Sequence, residues 1–358
     1  MNPLRIIVIG CGHMGTSHAI AYKNNPGFEI AGIVSRGEAG RSALASKLGG
    51  CPTFSDAESA IEACRPDAVC IATYPETHAS LSLLALGHGC HVFVEKPLAT
   101  NMEDAERVVA EAAARGLTVV LGYILQHHPT WDLFVDRARQ LGKPLVMRMN
   151  LNQQSSGPEW ETHKNILSSL SPIADCGVHY VDVMCRMTGS RPVSVHAIGA
   201  RLSDSLPPGR MNYGHLHVTF EDGSVGWYEA GWGPMMSETA AFVKDVIGPL
   251  GSASIEAGRD VGSSDIDSHA RTDAIRVHFS DLDANGRLTR KDEVLDTASA
   301  PDHQGLCDLE QEYFLQAIRK SVDTRQHIES ALSSLRIVLA CEQSIREGRS
   351  VDLRQDLL

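Results

Sequence analysis

The sequence predicts an α/β fold in two parts: an N-terminal doubly wound parallel sheet, then a C-terminal α+β part built on a large, open, mostly antiparallel sheet. Three observations predict it. Short apolar runs alternate with amphipathic stretches through the first third of the chain. The first of these runs ends in closely spaced glycines. Beyond Pro129 the strands become longer and alternate in polarity, and two of them are joined by a tight turn that a parallel sheet would not use. A chain of 358 residues is also long enough for two domains at roughly 150 residues each.

In order, the spacing predicts a strand from Leu4 to Ile9, a helix from Gly15 to Asn24 and a strand from Phe28 to Val34, which together form a βαβ unit. Further strands follow at Ala68 to Ala72, His91 to Val94 and Thr118 to Leu121. Each is apolar throughout, as strands buried on both faces of a parallel sheet are. Between the last two, Thr100 and Glu103 read as a T-x-x-E capping box opening a helix that Gly116 closes.

The second part opens with a helix from Pro129 to Leu141, stopped at Gly142. Strands are expected near 145–153, 193–200, 214–220 and 224–230, the last two joined through Glu221-Asp222-Gly223. Helical period returns at Gln304 to Arg319 and Ile328 to Glu347, and the Ser, Asp and Gly content of 258–272 reads as a loop. These elements place the domains at 1–123 and 124–358.

Composition narrows the function classes. Hydrophobic residues make up 43% and charged residues 21% of the chain, a globular balance. With 32 Lys plus Arg against 44 Asp plus Glu, the net charge of −12 repels polyanions, so nucleic acid is not an expected partner. Nine cysteines, an odd number without zinc-ligand spacing, read as reduced thiols of a cytoplasmic protein with no metal. The apolar run Ile6 to Ile9 is too short for a signal peptide, and no apolar run is long enough to span a membrane.

Gly10-Cys11-Gly12-His13-Met14-Gly15 is a G-x-G-x-x-G set between a strand and a helix. In that context the first glycine makes the turn, the second lets backbone amides approach a pyrophosphate, and the third allows close helix packing. The alternative is a glycine turn without a ligand. At the end of the second strand, where an acid would bind the ribose of NAD, stand Ser35 and Arg36, a pair suited to the 2′-phosphate of NADP, with Arg41 as a helper. Otherwise Arg36 stacks on adenine or faces water. Glu95-Lys96-Pro97 closes a buried strand, where ligands of open α/β sheets gather, though a lysine there is by default a solvated charge. Asp175 and His179 are spaced to share one face of a helix, which sets a carboxylate beside an imidazole able to act as a general base; such pairs are also common as a cap with a packed partner.

Three segments occur in one order: GCGHMG, then ATYPETHASLSLLALGHGCHVFVEKPLA at 72–99, then DCGVHYVD at 175–182. Together with the last helices around QEYFLQAI and RIVLACEQSIREGRSVDL, they make the chain similar, over nearly its whole length, to the Gfo/Idh/MocA family of glucose–fructose oxidoreductase and inositol dehydrogenase. The resemblance implies a Rossmann domain followed by a domain with a large open sheet. It implies hydride transfer between NAD or NADP and a secondary hydroxyl of a sugar, cyclitol or related polyol; Ser35 and Arg36 slightly favour NADP. The resemblance assigns Lys96, Asp175 and His179 to catalysis; the candidate cofactor contacts are Gly10, Gly12, His13, Met14, Gly15, Ser35, Arg36, Thr73, Glu95 and Lys96.

The family's Asn-Arg segment is replaced here by residues 122–129, and the glycine-rich run before the aspartate by Ser168-Ser169-Leu170-Ser171-Pro172. Tyr123, His128, Trp160, His163 and Lys164 are the candidate substrate contacts, with ordinary packing or exposure as the alternative. Family resemblance also implies a homodimer or homotetramer joined through the open sheet face. The rival reading is a dinucleotide-binding sensor or scaffold that has lost the chemistry.

Overall fold

A computed structural model describes residues 2–237, 242–256 and 272–354. They gather into two units, Met1–His127 with His303–Leu332, and His128–Asp302 with Ser333–Leu358.

The first unit holds strands β1 (Leu4–Ile9), β2 (Phe28–Val34), β3 (Thr53–Phe54), β4 (Ala68–Ile71), β5 (His91–Val94) and β6 (Val119–Leu121). Helices α1 (His13–Asn24), α2 (Glu38–Lys47), α3 (Ala57–Cys64), α4 (His78–Gly87) and α5 (Met102–Arg115) connect them. The strand order is β3-β2-β1-β4-β5-β6 with every pair parallel, the doubly wound arrangement that the alternating pattern predicts. Ile6, Ile7 and Val8, and the whole of β4, are fully enclosed, which is why these runs carry no polar alternation.

The start of α5 differs from expectation. Asn101, not Thr100, is the cap: its Oδ1 accepts from the Asp104 amide at 2.8 Å, and its Nδ2 donates to the Asp104 carboxylate at 2.9 Å. Asn caps at least as well as Thr, and the side chains of the pair also bond each other, so the cap sits one residue later. Gly116 ends the helix with φ of 65°.

In the second unit α6 (Pro129–Arg139) precedes β7 (Val146–Gln154), α7 (Gly157–Leu167), α8 (Pro172–Asp175) and α9 (Gly177–Thr188). Strands β8 (Pro192–Ala200), β9 (Tyr213–Phe220), β10 (Val225–Gly233), β11 (Lys244–Gly248), β12 (Gly251–Glu256), β13 (Ala274–Phe279) and β14 (Glu293–Asp296) follow. The chain closes with α10 (His303–Ile318), α11 (Arg325–Glu347) and β15 (Val351–Asp352). The nine strands run β14-β13-β12-β11-β7-β10-β9-β8-β15. Among the described residues β7 with β10 is the parallel pair and the others are antiparallel. Strands β9 and β10 form the predicted hairpin, with Gly223 at φ of 82°.

Alternation splits this sheet's residues between two faces. Met147, Met149, Val218, Tyr228, Val246 and Val277 are buried on one, whereas Val146, Val225 and Ile247 lie in register on the other, each about 40% exposed. The expected loop at 258–272 lies, but for Thr272, outside the described residues.

Two expectations need correction. Residues 303–332 belong with the first unit, because Phe314, Leu315 and Ala317 of α10 share a core with Ile6, Tyr22, Phe28 and Phe93. The cut also falls after His127, whose ring lies 4.8 Å from that of Tyr313, so the 1–123 and 124–358 division gives way to an interleaved one. Helical period says that a segment has an apolar face, not which sheet that face covers. In addition, Asp175 and His179 do not share one continuous helix: Asp175 ends α8, Cys176 makes a turn, and α9 begins at Gly177. No helix among the described residues is long and apolar enough to cross a membrane.

Candidate active site

The glycine turn is shaped by contacts that exclude side chains. Gly10 has φ of 113°, and a Cβ there would stand 2.0 Å from the Ala72 carbonyl oxygen; one on Gly15 would stand 2.2 Å from the Gly10 carbonyl oxygen. The third glycine thus lets α1 start directly above the turn. Gly12 meets nothing within 4 Å of its added Cβ. It precedes α1 without capping it by a side chain, and no acid occupies the helix's first turn, which holds His13 and Met14. The amides of that turn and the positive end of the helix dipole therefore suit a pyrophosphate.

The end of β2 lies against this turn, the Gly10 amide donating to the Val34 carbonyl at 2.9 Å. Ser35 follows, its amide bonded to the Phe54 carbonyl, and Arg36 is exposed. Arg41 donates to the Ser35 and Arg36 carbonyls, both at 3.1 Å, so it braces the turn that presents Arg36.

Thr73 and Thr77 share a 2.7 Å hydroxyl contact after β4. At the end of β5 the Glu95 carboxylate turns inward: Oε1 lies 2.6 Å from His18 Nε2, and Oε2 accepts from the Lys96 amide at 3.2 Å. Burial acts to raise this carboxyl, but the hydrogen bond with His18 holds it below its ordinary value. Glu95 therefore ties α1 to β5, and half-buried Lys96 is the group of this segment set at the strand's carboxyl end. Tyr123, 1% exposed, donates from its hydroxyl to the Ala331 carbonyl at 3.4 Å. Gly10, Gly12, Ser35, Thr73 and Lys96 thus stand at the carboxyl ends of strands or the turns after them, with Gly15 in the first turn of α1, all in one unit.

The remaining candidates belong to the second unit. Ser171 caps α8, its hydroxyl accepting from the Ala174 amide. This sets Asp175 just before the turn into α9, and the His179 amide bonds the Cys176 carbonyl at 3.2 Å. Asp175 and His179 are 6% and 5% exposed, a buried carboxylate and imidazole where two helices meet. His128 is also buried, and its Nδ1 accepts from the Thr130 amide, capping α6. Trp160, His163 and Lys164 lie on α7, which the sequence reading did not foresee. His163 stacks on Trp232 at 4.5 Å and meets the Ser155 hydroxyl at 2.9 Å; Trp160 joins Leu167, Leu206 and Trp232 in a small core; Lys164 pairs with Glu161 at 2.7 Å.

Sequence reasoning missed Lys244. It is 2% exposed on the inward face of β11, in register with Met149, its Nζ 3.7 Å from the Phe242 ring centroid and 5.6 Å from that of Tyr180. Burial, with no charged partner among the described residues, brings its amine from 10.5 down to about 7. The alternation of Lys244 with buried Val246 was the available signal.

Comparison with known proteins agrees with this fold. Residues 4–123 match the model of an oxidoreductase family with an NAD-binding Rossmann fold, and residues 137–248 match the GFO/IDH/MocA C-terminal domain. Over 199 residues the chain is 28% identical to the UDP-N-acetylglucosamine 3-dehydrogenase of Acidithiobacillus ferrooxidans, covering 56% of this chain and 59% of that one. That match spans less than two thirds of the relative. Identity to the scyllo-inositol 2-dehydrogenase (NAD(+)) of Bacillus subtilis is 24% over 362 residues, covering 98% and 97% of the two chains. The WlbA dehydrogenase of Chromobacterium violaceum, solved with NADH and UDP-GlcNAcA, has the same fold, with a TM-score of 0.79 at 19% identity over 99% and 96% of the chains. With both domain models matched in order, the chain belongs to the Gfo/Idh/MocA family of oxidoreductases.

Proposed function

We propose that this chain is a nicotinamide-dependent dehydrogenase acting on a secondary hydroxyl, or the matching ketone, of a sugar, cyclitol or related polyol. The observation that carries the reading is the burial of Asp175 and His179, at 6% and 5% exposure, in a family whose first domain binds NAD. The names of two relatives, a UDP-N-acetylglucosamine 3-dehydrogenase and a scyllo-inositol 2-dehydrogenase, support the substrate class.

The dinucleotide supplies hydride chemistry when bound. Gly10, Gly12 and the first turn of α1 hold its pyrophosphate, and Ser35 with Arg36 take a ribose 2′-phosphate, which favours NADP. His179 accepts the hydroxyl proton, Asp175 keeps the imidazole oriented, and the Lys96 ammonium stabilises negative charge developing on the oxygen. Trp160, His163 and Lys164 border the substrate. The exposed row Val146, Val225 and Ile247 supports self-association through the outward sheet face.

The test is a panel of sugars, cyclitols and their keto forms with both dinucleotides, read by nicotinamide absorbance, for the parent chain and His179→Ala. The variant should lose roughly 10²- to 10⁴-fold in kcat and keep its dinucleotide affinity. A parent inert toward the whole panel, or a variant with parental kcat, refutes the reading.

A further inference from the structure

Where α1 packs on α10, the first unit buries a set of metal-ligating side chains that the proposed chemistry does not use. His18, Cys307 and Glu310 are each 0% exposed, and each offers a ligand atom within 4.8 Å of the other two. We propose that His18, Cys307 and Glu310 form a structural zinc site that cross-links α1 to α10.

Three observations support it. Both carboxylate oxygens of Glu310 are buried without a hydrogen-bond partner among the described residues. An enclosed carboxyl in that state costs free energy until a cation or a donor meets it. Next, His18 is already held as a zinc-bound histidine is held. Its Nε2 is 2.6 Å from Glu95 Oε1, and Gln311 Nε2 lies 2.9 Å from its Nδ1. With Nε2–H donating to the carboxylate, the lone pair is on Nδ1, the orientation that an outer carboxylate imposes on metal-binding imidazoles. Zinc on Nδ1 replaces the Gln311 contact.

Finally, His303, Cys307 and Glu310 recur on α10 at i, i+4 and i+7, one face of the helix. His303 Nε2 lies 3.6 Å from Cys307 Sγ, which sets His303 beside the thiol end of the group but outside the set of three. One sulfur, one nitrogen and one carboxylate oxygen are zinc donors. On binding, the thiol and the Glu310 carboxyl each release a proton to solvent, and their two negative charges balance the dication. Zinc spacing is invisible in the sequence because His18 and Cys307 lie near opposite ends of the chain.

The whole protein, purified without chelator, is analysed for metal, then stripped and reloaded with zinc or with cobalt as a spectroscopic stand-in. The expected result is one zinc per chain after desalting, a melting temperature that falls on stripping and returns with zinc, and a thiolate-to-cobalt charge-transfer band. Cys307→Ser should abolish that band, and Glu95→Gln should weaken zinc binding about 10- to 100-fold. A folded parent that takes up no zinc, or binds cobalt without the thiolate band, overturns the proposal. So does a Glu310→Gln variant, folded by circular dichroism, that binds zinc as the parent does.

Discussion

A Cβ on Gly10 would stand 2.0 Å from the carbonyl oxygen of Ala72, so the ends of β1 and β4 meet backbone to backbone where the glycine turn begins. Gly12, two residues on, meets nothing. The two glycines should therefore fail differently. Gly10→Ala adds that overlap to a backbone at φ of 113° and should cost at least about 1–3 kcal/mol of stability. Gly12→Ala should melt close to the parent, within about 0.5 kcal/mol, yet bind dinucleotide more weakly, because its methyl enters the space a pyrophosphate needs. Melting curves and a dinucleotide titration separate the two effects, and a Gly12→Ala chain with parental affinity would place the pyrophosphate elsewhere.

Arg36 is exposed on a turn that Arg41 braces from beneath. Arg36→Ala should weaken NADP by roughly 10-fold or more, the loss of one charge-assisted contact of about 1.5–3 kcal/mol, and leave NAD nearly unchanged. Arg41→Ala should instead weaken both, because it loosens the turn itself. Tighter binding of NAD than NADP by the parent would refute the cofactor preference.

The first unit was legible because its strands are buried on both faces, and continuous apolar runs such as Ile6 to Ile9 leave little ambiguity of register. Strands β11 to β14 escaped because β11 and β14 are short and carry Lys244, Asp245, Glu293 and Asp296. The place of α10 escaped because Phe314 and Leu315 declare an apolar face without naming the partner, and that partner begins with β1, almost the whole chain away. Of the site, the glycine turn could be read from spacing, whereas the shared helix that the spacing of Asp175 and His179 predicts is interrupted at Cys176. The inward turn of Glu95 could not be read, since it depends on His18 one element removed.

Lys244 carries a stability cost that pH exposes. Its amine has a folded value of about 7 against an ordinary 10.5, so between these values an unfolded chain holds a proton that the folded chain has released. Stability therefore rises with pH from about 7 to 10.5, and at neutral pH or below the folded state bears a penalty on the order of 5 kcal/mol. Lys244→Met keeps the length of the side chain and removes the charge, so it should raise unfolding free energy at pH 7 by about 2–5 kcal/mol and flatten that slope. Urea titrations at pH 7 and pH 9 measure both, and a destabilised Lys244→Met chain would show that the amine has a partner in the folded protein.

Protonation of His327 should weaken the first unit in acid. This residue lies on α11, and its Nε2 accepts from the amide of Leu121 on the edge strand β6 at 2.9 Å, while Nδ1–H donates to Gln126 Oε1 at 2.9 Å. The ring is thus held as the neutral tautomer, and a proton on Nε2 would confront the Leu121 N–H. Burial, with the neighbouring His127 adding to it, brings the imidazole from 6.5 down to about 3. An unfolded chain takes up this proton near pH 6.5 and the folded chain does not, so stability falls as pH drops through the window from about 6.5 to 3. The slope from this residue alone is about 1.4 kcal/mol per pH unit, reaching on the order of 5 kcal/mol at the lower end. His327→Gln supplies an amide oxygen to accept from Leu121 but does not titrate. It should cost some stability at pH 7, about 1–2 kcal/mol for imperfect packing and bonding, and lose less than the parent on acidification, so that the two unfolding curves converge or cross. Parallel pH profiles for His327→Gln and parent, measured by urea denaturation between about pH 7 and 4.5, would show that other groups set the acid limit.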